Sequence, residues 1–581
     1  MNSMKFSLLF LFIVSWSSAF NQTATLNYNA DLGNEQIFVQ TNSTFLMTGE
    51  TLYFKIFCFQ RKNDKLTMMS KVAYLELIDE LGMPVFQTKI SLQTGSGHGD
   101  LFIPSTFSSG NYTLIAYTRW MRNFTTDSFF RRQITIVNPF RVSPTTSSNS
   151  IKKNSYESGP ILSQSKDVQL KLSGKIFKAR EKVGVTLNAK DIVAVSISVR
   201  KKETILDDAG TILKRSLDNL GGSDSTLVSP SSSQKDSQSS RQAKTYLPEI
   251  RGHLITGTVT PKSQGVSKRI VLASIPGSDF VFHAIATDQN GDFAMILDRI
   301  PESSTMMFQL EEDDISNYTL RINDAFLSDY SKFKPLPLSI DTGLQVIIDE
   351  RNIYTQIENA YYTAKTDSVP FTPTVSFYNV PDKIYRLDDF TRFPTMEDVF
   401  REYIHEVVVR RSRNTFSLQA VSPGVGDPPS KEPLMLIDGV PILNTNTFMA
   451  YDPLKIERIE IVKEKYFYGS LYSDGIVSVK TYKGAIEDLP PINSHRENLV
   501  KIQSGKIYYF PDYSTDGFKL KRVPDYRLQL YWNPNVKVNK DQGSTIDFYT
   551  SDVIGEFEII VEGFTSEGAL VSAREVISVL K

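Results

Sequence analysis

Apolar and polar positions alternate with a period of two along most of this chain. Ala73, Leu75 and Leu77 interleave with Val72, Tyr74 and Glu76, the pattern of a strand that presents one set of side chains to each face. Gly82-Met83-Pro84 breaks that run, and Ser108-Ser109-Gly110-Asn111 turns the chain into the apolar stretch 112–117. Further strand-like runs fall at 183–187, 194–199, 251–259 and 270–274, and Asn290-Gly291 is a hairpin-turn signal. Short strands at this spacing predict β-sandwiches. The character changes near residue 395. Thr395-Met396-Glu397-Asp398 resembles a capping box ahead of a short amphipathic helix over 399–404, and strands follow at 434–437, 456–462 and 475–481.

At roughly 100–200 residues per domain, a chain of 581 residues holds about four. The expected fold is mainly β: a chain of immunoglobulin-like sandwiches with an inserted small α+β domain. The pattern divides it into a β-sandwich at 20–140, a linker at 141–166, and a second sandwich at 167–246. A third sandwich spans 247–335, a connecting segment 336–385, the α+β domain 386–485, and a C-terminal sandwich 500–581. Ten of residues 216–242 are serine and few are large and apolar, so that stretch is expected to be disordered.

Charge and composition narrow the possible functions. Lys+Arg 64 against Asp+Glu 65 gives a net charge of -1, which argues against a nucleic-acid partner. One Cys forbids an internal disulfide, and five scattered His leave little for a metal centre. Lys5, the apolar run 6–16 and Ser17-Ser18-Ala19 predict a cleaved signal peptide at 1–19. No Cys near that point suggests a lipid anchor, and no later run reaches ~18 apolar residues. The expected product is exported, and meets a membrane through a partner rather than a span of its own. Cys58, inside the apolar run 53–59, reads as a small hydrophobe in a strand.

The search for chemistry returns little. His405-Glu406 lacks the second His of a zincin helix, and no phosphate loop, dinucleotide fingerprint or nucleophile elbow occurs. Asp288, Asn290 and Asp292 imitate the start of a calcium loop, but its bidentate acid falls on Arg299, and a turn explains all three. No catalytic residue, cofactor or metal is assigned, and the chain reads as a non-enzyme. Two aromatic patches are candidates for partner binding: Arg119, Trp120 and Arg122, and Tyr531 with Trp532. Arg and Trp dominate interface hot spots. Either patch can equally be a strand end whose Trp is core.

Three segments resemble known families. Residues 45–54 with 117–124 resemble a macroglobulin-type β-sandwich of exported bacterial proteins, and the turn Thr287-Asp288 to Gly291-Asp292-Phe293 resembles a carboxypeptidase-regulatory-like domain. Leu436-Ile437-Asp438-Gly439-Val440-Pro441, then Pro453-Leu454-Lys455-Ile456-Glu457-Arg458-Ile459-Glu460, Tyr468-Gly469 and 475–481 are similar to the plug domain of TonB-dependent outer-membrane receptors. Such a plug is followed by about 22 strands of ~10 residues, whereas about 100 residues follow Thr481, so no receptor barrel is expected within them. Cys58 lacks the neighbours of a macroglobulin thioester, which removes covalent protease trapping. The resemblance implies a binding or scaffolding subunit of an outer-membrane transport or assembly complex, docking on a barrel protein. The alternative is a periplasmic or surface receptor for a peptide or glycan.

Overall fold

The computed structural model describes residues 34–62, 65–141, 168–189, 192–202, 245–263, 265, 268–297, 305–311, 314–338, 345–361, 367–370, 375–421, 431–484, 486–514, 523–538 and 543–581. The signal peptide expected at 1–19, the linker beyond residue 141 and the Ser-rich stretch 216–242 lie outside them. The chain is mainly β, built from three two-sheet sandwiches and an α+β module.

In the first sandwich, strand Thr51–Gln60 lies between Glu35–Thr41 and Ser96–Phe102. The facing sheet runs Phe45–Met47, Phe130–Val137, Gly110–Thr118, Val72–Ile78, Pro84–Ser91. Leu52, Phe54, Ile56 and Cys58 on one face of Thr51–Gln60 are fully buried. The other face carries Tyr53, Lys55, Phe57 and Phe59 and meets the second sandwich, Phe57 and Phe59 packing edge-on to Phe564 at 4.8 and 4.5 Å. Both faces are covered, hence the continuous apolar run. Val72–Ile78 is also buried throughout, although its alternation leaves Tyr74 and Glu76 on the polar side. There the hydroxyls of Tyr117 and Tyr330 donate to Glu76 at 2.6 Å each, and Tyr74 donates to Glu249 at 3.0 Å.

The blocks read separately as sandwiches at 167–246 and 500–581 supply strands to one and the same sandwich. Ile192–Lys201 has Gly555–Thr565 on one side and Gln529–Asn533 on the other. Lys182–Ala189 pairs with both Val168–Leu172 and Ser544–Tyr549. Neither block closes a sheet alone, and each would leave open ladder edges without the other.

The third sandwich packs Asp292–Leu297, His253–Pro261 and Tyr318–Ile322 against a sheet of Val281–Ala286, Ile270–Ile275, Thr305–Leu310 and His495–Asn498. The last of these strands belongs to residues beyond the α+β module. The Asp288 carboxylate accepts the N–H groups of Asn290 and Asp292 at 2.8 and 2.9 Å, with Gly291 at φ +86°, so this stretch is a turn held by its own side chain.

In the module, Lys383–Arg386, Ile456–Val462, Ile476–Thr481, Leu434–Ile437 and Val440–Pro441 form one sheet. Helix Met396–Glu402 starts where the capping pattern placed it: Thr395 Oγ1 accepts the Asp398 N–H at 3.2 Å, and Met396, Val399 and Phe400 face the core. The motif residues have structural tasks. Buried Asp438 accepts the Thr481 N–H at 2.8 Å and its hydroxyl at 2.6 Å, tying the turn to the central strand. Gly439, at φ +82°, lies against the Phe280 ring of the third sandwich, where any Cβ would meet ring atoms at 2.2 Å. Glu460 accepts the Tyr378 hydroxyl at 2.5 Å and Arg458 Nε at 2.8 Å.

The chain therefore nests. It leaves the second sandwich half built, makes the third and the module, returns through His495–Asn498, adds Ile502–Gln503 parallel to strand Pro84–Ser91 of the first, and then completes the second.

Candidate binding cleft

Where these returns converge, the first two sandwiches, a helix and the return segment line a small, half-open cleft with room for about 90 Å³. Tyr53 and Glu50 come from the first sandwich, Arg200 and Tyr526–Gln529 from the second, Glu358 from helix Gln345–Tyr361, and Tyr509 and Phe510 from the return segment. Arg351, only 2% exposed, pins the helix. Its Nε and Nη2 donate to the Glu50 carboxylate at 2.7 and 2.6 Å, and Nη2 reaches the Phe45 carbonyl at 2.9 Å. Burial by itself would raise the Glu50 carboxyl, but Arg351 and Arg200 outweigh it and hold Glu50 below the usual carboxylate range. Gly49 (φ +91°) lets the helix approach, and its carbonyl accepts Asn359 Nδ2 at 2.9 Å.

The opposite wall is equally fixed. Arg527 makes a two-pronged pair with Asp525, Nε to Oδ1 and Nη2 to Oδ2, both at 2.7 Å. Tyr526 stacks on Tyr354 of the helix at 5.1 Å, and Tyr53 stacks on Trp532 at 6.0 Å. Asn42 Nδ2 donates to Gln529 Oε1 at 3.1 Å. Lys506 sits 3.1 Å from carboxylate oxygens of both Asp100 and Asp367. Aromatic rings, amides and neutralised ion pairs suit a ligand that is polar along its edges and apolar on its faces. Among the described residues no group of three His, Cys, Asp or Glu gathers in a way that holds a metal ion.

The two candidate patches are not free surfaces. Trp120 is 5% and Arg119 6% exposed, because the 3₁₀ turn Trp120–Asn123 folds against the start of the third sandwich. Arg122 donates to the Ala325 carbonyl at 2.7 Å and the Tyr246 hydroxyl at 3.2 Å, its guanidinium 4.1 Å from the Tyr246 ring centroid. The partner that patch recognises is the chain's own Tyr246. Trp532 is 1% exposed and stands behind Tyr53, while half-buried Tyr531 packs on Phe510 at 5.3 Å. That pair supports the cleft wall from behind. Sequence reasoning missed the cleft's lining, which comes from segments hundreds of residues apart. It also missed a buried array between the first and third sandwiches: Glu249 accepts from His253 Nδ1 at 2.9 Å, and Lys89 Nζ lies 2.9 Å from His253 Nε2.

No family model matches this chain. No curated protein matches it either. Among solved structures it is similar to Escherichia coli alpha-2-macroglobulin activated by porcine elastase, at 9% identity and TM-score 0.23 over 94% of this chain and 44% of that one. Salmonella alpha-2-macroglobulin reacted with methylamine gives 9% and 0.23 over 94% and 39%. The Yersinia pseudotuberculosis adhesin InvE gives 12% and 0.14 over 50% and 59%. The chain spans less than half the length of these macroglobulins, and at such TM-scores its architecture rests on its own strand pairings.

Proposed function

We propose that this chain is a non-enzymatic envelope protein, a binding and scaffolding subunit of an outer-membrane transport or assembly complex that works by protein–protein docking. The supporting observation is the return segment. One stretch contributes a strand to the third sandwich, pairs with the first and leads into the completion of the second. Sandwiches joined by shared strands cannot swing on linkers, so a partner held by the α+β module stays at a fixed distance from one held by the first sandwich. The test is isolation of the tagged protein from gently solubilised outer membranes. A stoichiometric barrel or transport subunit is the expected companion; a lone monomer in the soluble fraction refutes the proposal.

The cleft favours a second reading, a receptor for a peptide or glycan. Calorimetric titration with short peptides and oligosaccharides should then give saturable binding that Tyr526→Ala abolishes. Equal heats for protein and Tyr526→Ala would dismiss it.

A further inference from the structure

Between the first and second sandwiches lies a lysine whose ammonium has no carboxylate partner among the described residues. Lys55 stands directly opposite His98 in the pairing of Thr51–Gln60 with Ser96–Phe102, so their side chains are neighbours on one face. That face is buried against the second sandwich, and Lys55 is 1% exposed. No ion pair to it exists among the described residues. Instead Nζ donates to Oδ1 of Asn535 at 2.6 Å, just beyond strand Gln529–Asn533 of the second sandwich. The other half of that amide is held too: Asn535 Nδ2 lies 3.2 Å from His98 Nδ1, and His98 Nε2 lies 3.0 Å from the Lys506 carbonyl. Nε2 also lies 3.0 Å from the Lys506 backbone N–H; in the tautomer whose Nε2–H donates to the Lys506 carbonyl, Nδ1 is left to accept from Asn535. In that tautomer the amide is held with its oxygen toward the amine and its nitrogen toward the imidazole.

A buried, unpaired ammonium is strongly disfavoured. Burial brings the Lys55 amine down to about 7 and His98 to about 4, so near neutral pH a large share of Lys55 is the free amine beside a neutral imidazole. A free amine is a nucleophile, and a lysine desolvated in this way is activated for attack on a carbonyl carbon.

We propose that Lys55 and Asn535 are joined by an intramolecular isopeptide bond that locks the first sandwich to the second. The Lys55 nitrogen lone pair attacks Asn535 Cγ, and the carbonyl π pair moves onto Oδ1. The proton lost by the new nitrogen passes to Nδ2 through His98, which touches that leaving nitrogen. Collapse of the tetrahedral centre restores the carbonyl, breaks Cγ–Nδ2 and expels ammonia. The amine and the amide become a secondary amide plus ammonia, with no oxidant and no change of redox state. Asn535 is an exposed residue at the rim of the interface, so ammonia leaves directly to solvent. The product carries no charge, which removes the buried ammonium. It also ties together residues 480 positions apart at the place where the nested path closes.

The intact mass of the denatured full chain, with a peptide map, decides the matter. The expected protein is lighter than its sequence by one ammonia, trypsin fails to cut after Lys55, and one branched peptide joins the segments carrying Lys55 and Asn535. Lys55→Arg and Asn535→Ala should each restore the full mass and two linear peptides, and His98→Ala should leave most molecules unlinked. Should those variants fail to fold, the map of the unaltered protein is enough. Linear peptides with intact Lys55 and Asn535, or with Asn535 merely deamidated, would overturn the proposal.

Discussion

Phe564 belongs by strand to the second sandwich and by packing to the first. It is 1% exposed, with its ring 4.5 Å from Phe59, 4.8 Å from Phe57 and 6.0 Å from Phe38. Phe564→Ala removes the ring shared by all three, and truncating a buried phenylalanine costs about 3–5 kcal/mol. If the two sandwiches form one cooperative unit, that cost is felt across the interface. At about 1.4 kcal/mol per decade, amide exchange in Thr51–Gln60 should accelerate by roughly two to three and a half orders of magnitude. Native-state hydrogen exchange with peptide resolution reads this directly. Phe400→Ala, an equally buried ring in the module's helix, is the control and should leave Thr51–Gln60 unchanged. Faster exchange confined to residues 555–580, with Thr51–Gln60 still protected, would mean that the sandwiches unfold independently and that the shared-core argument is wrong.

Three further outcomes are expected. Gly439→Ala forces a Cβ into the Phe280 ring at φ +82°; strain and overpacking of about 2–4 kcal/mol should expose the 434–441 turn to limited proteolysis, and unchanged cleavage would contradict this. Arg351→Ala leaves the largely buried Glu50 with Arg200 3.9 Å away; it should cost about 2–4 kcal/mol, partly restored by adding Glu50→Gln, in a double-mutant cycle of denaturant midpoints. Glu76 is fully buried, and burial raises its carboxyl despite hydrogen bonds from Tyr117, Tyr330 and Gln87. A raised native pKa means that the folded state binds more protons than the unfolded one above the usual value, so stability falls as pH climbs through that window. The melting temperature of the unaltered protein relative to Glu76→Gln should therefore drop as pH rises from about 4 toward 7, and a pH-independent difference would show that Glu76 does not titrate as argued.

What could be read in advance was local. A capping Thr395, an Asp288 that closes its own turn and the strand-like runs 434–437 and 456–462 are each decided by residues a few positions apart, and the structure has each of these elements. Pairing was not legible. Ile192–Lys201 carries no mark saying that its neighbours are Gly555–Thr565 and Gln529–Asn533, so two half sandwiches looked like two whole ones. The same limit explains the tryptophans. Whether Trp120 or Trp532 faces water is settled by distant residues, among them Tyr53 for Trp532. Lys55 within 53–59 looks like a polar position at the edge of an apolar run, and only the strand opposite and the loop at Asn535 reveal its burial.

The nested path also sets a timetable. Ser196 and Glu562, hydrogen-bonded across adjacent strands, are 366 positions apart, which at about 5–20 residues per second is roughly 20–70 s of synthesis. Until Gln529–Asn533 is made, near the end of that interval, Ile192–Lys201, with Val195, Ile197 and Val199 meant for the interior, has neither flanking strand. A nascent chain therefore carries an adhesive ribbon until its final hundred residues arrive. A product interrupted before residue 529 should be markedly more prone to clump than the finished chain.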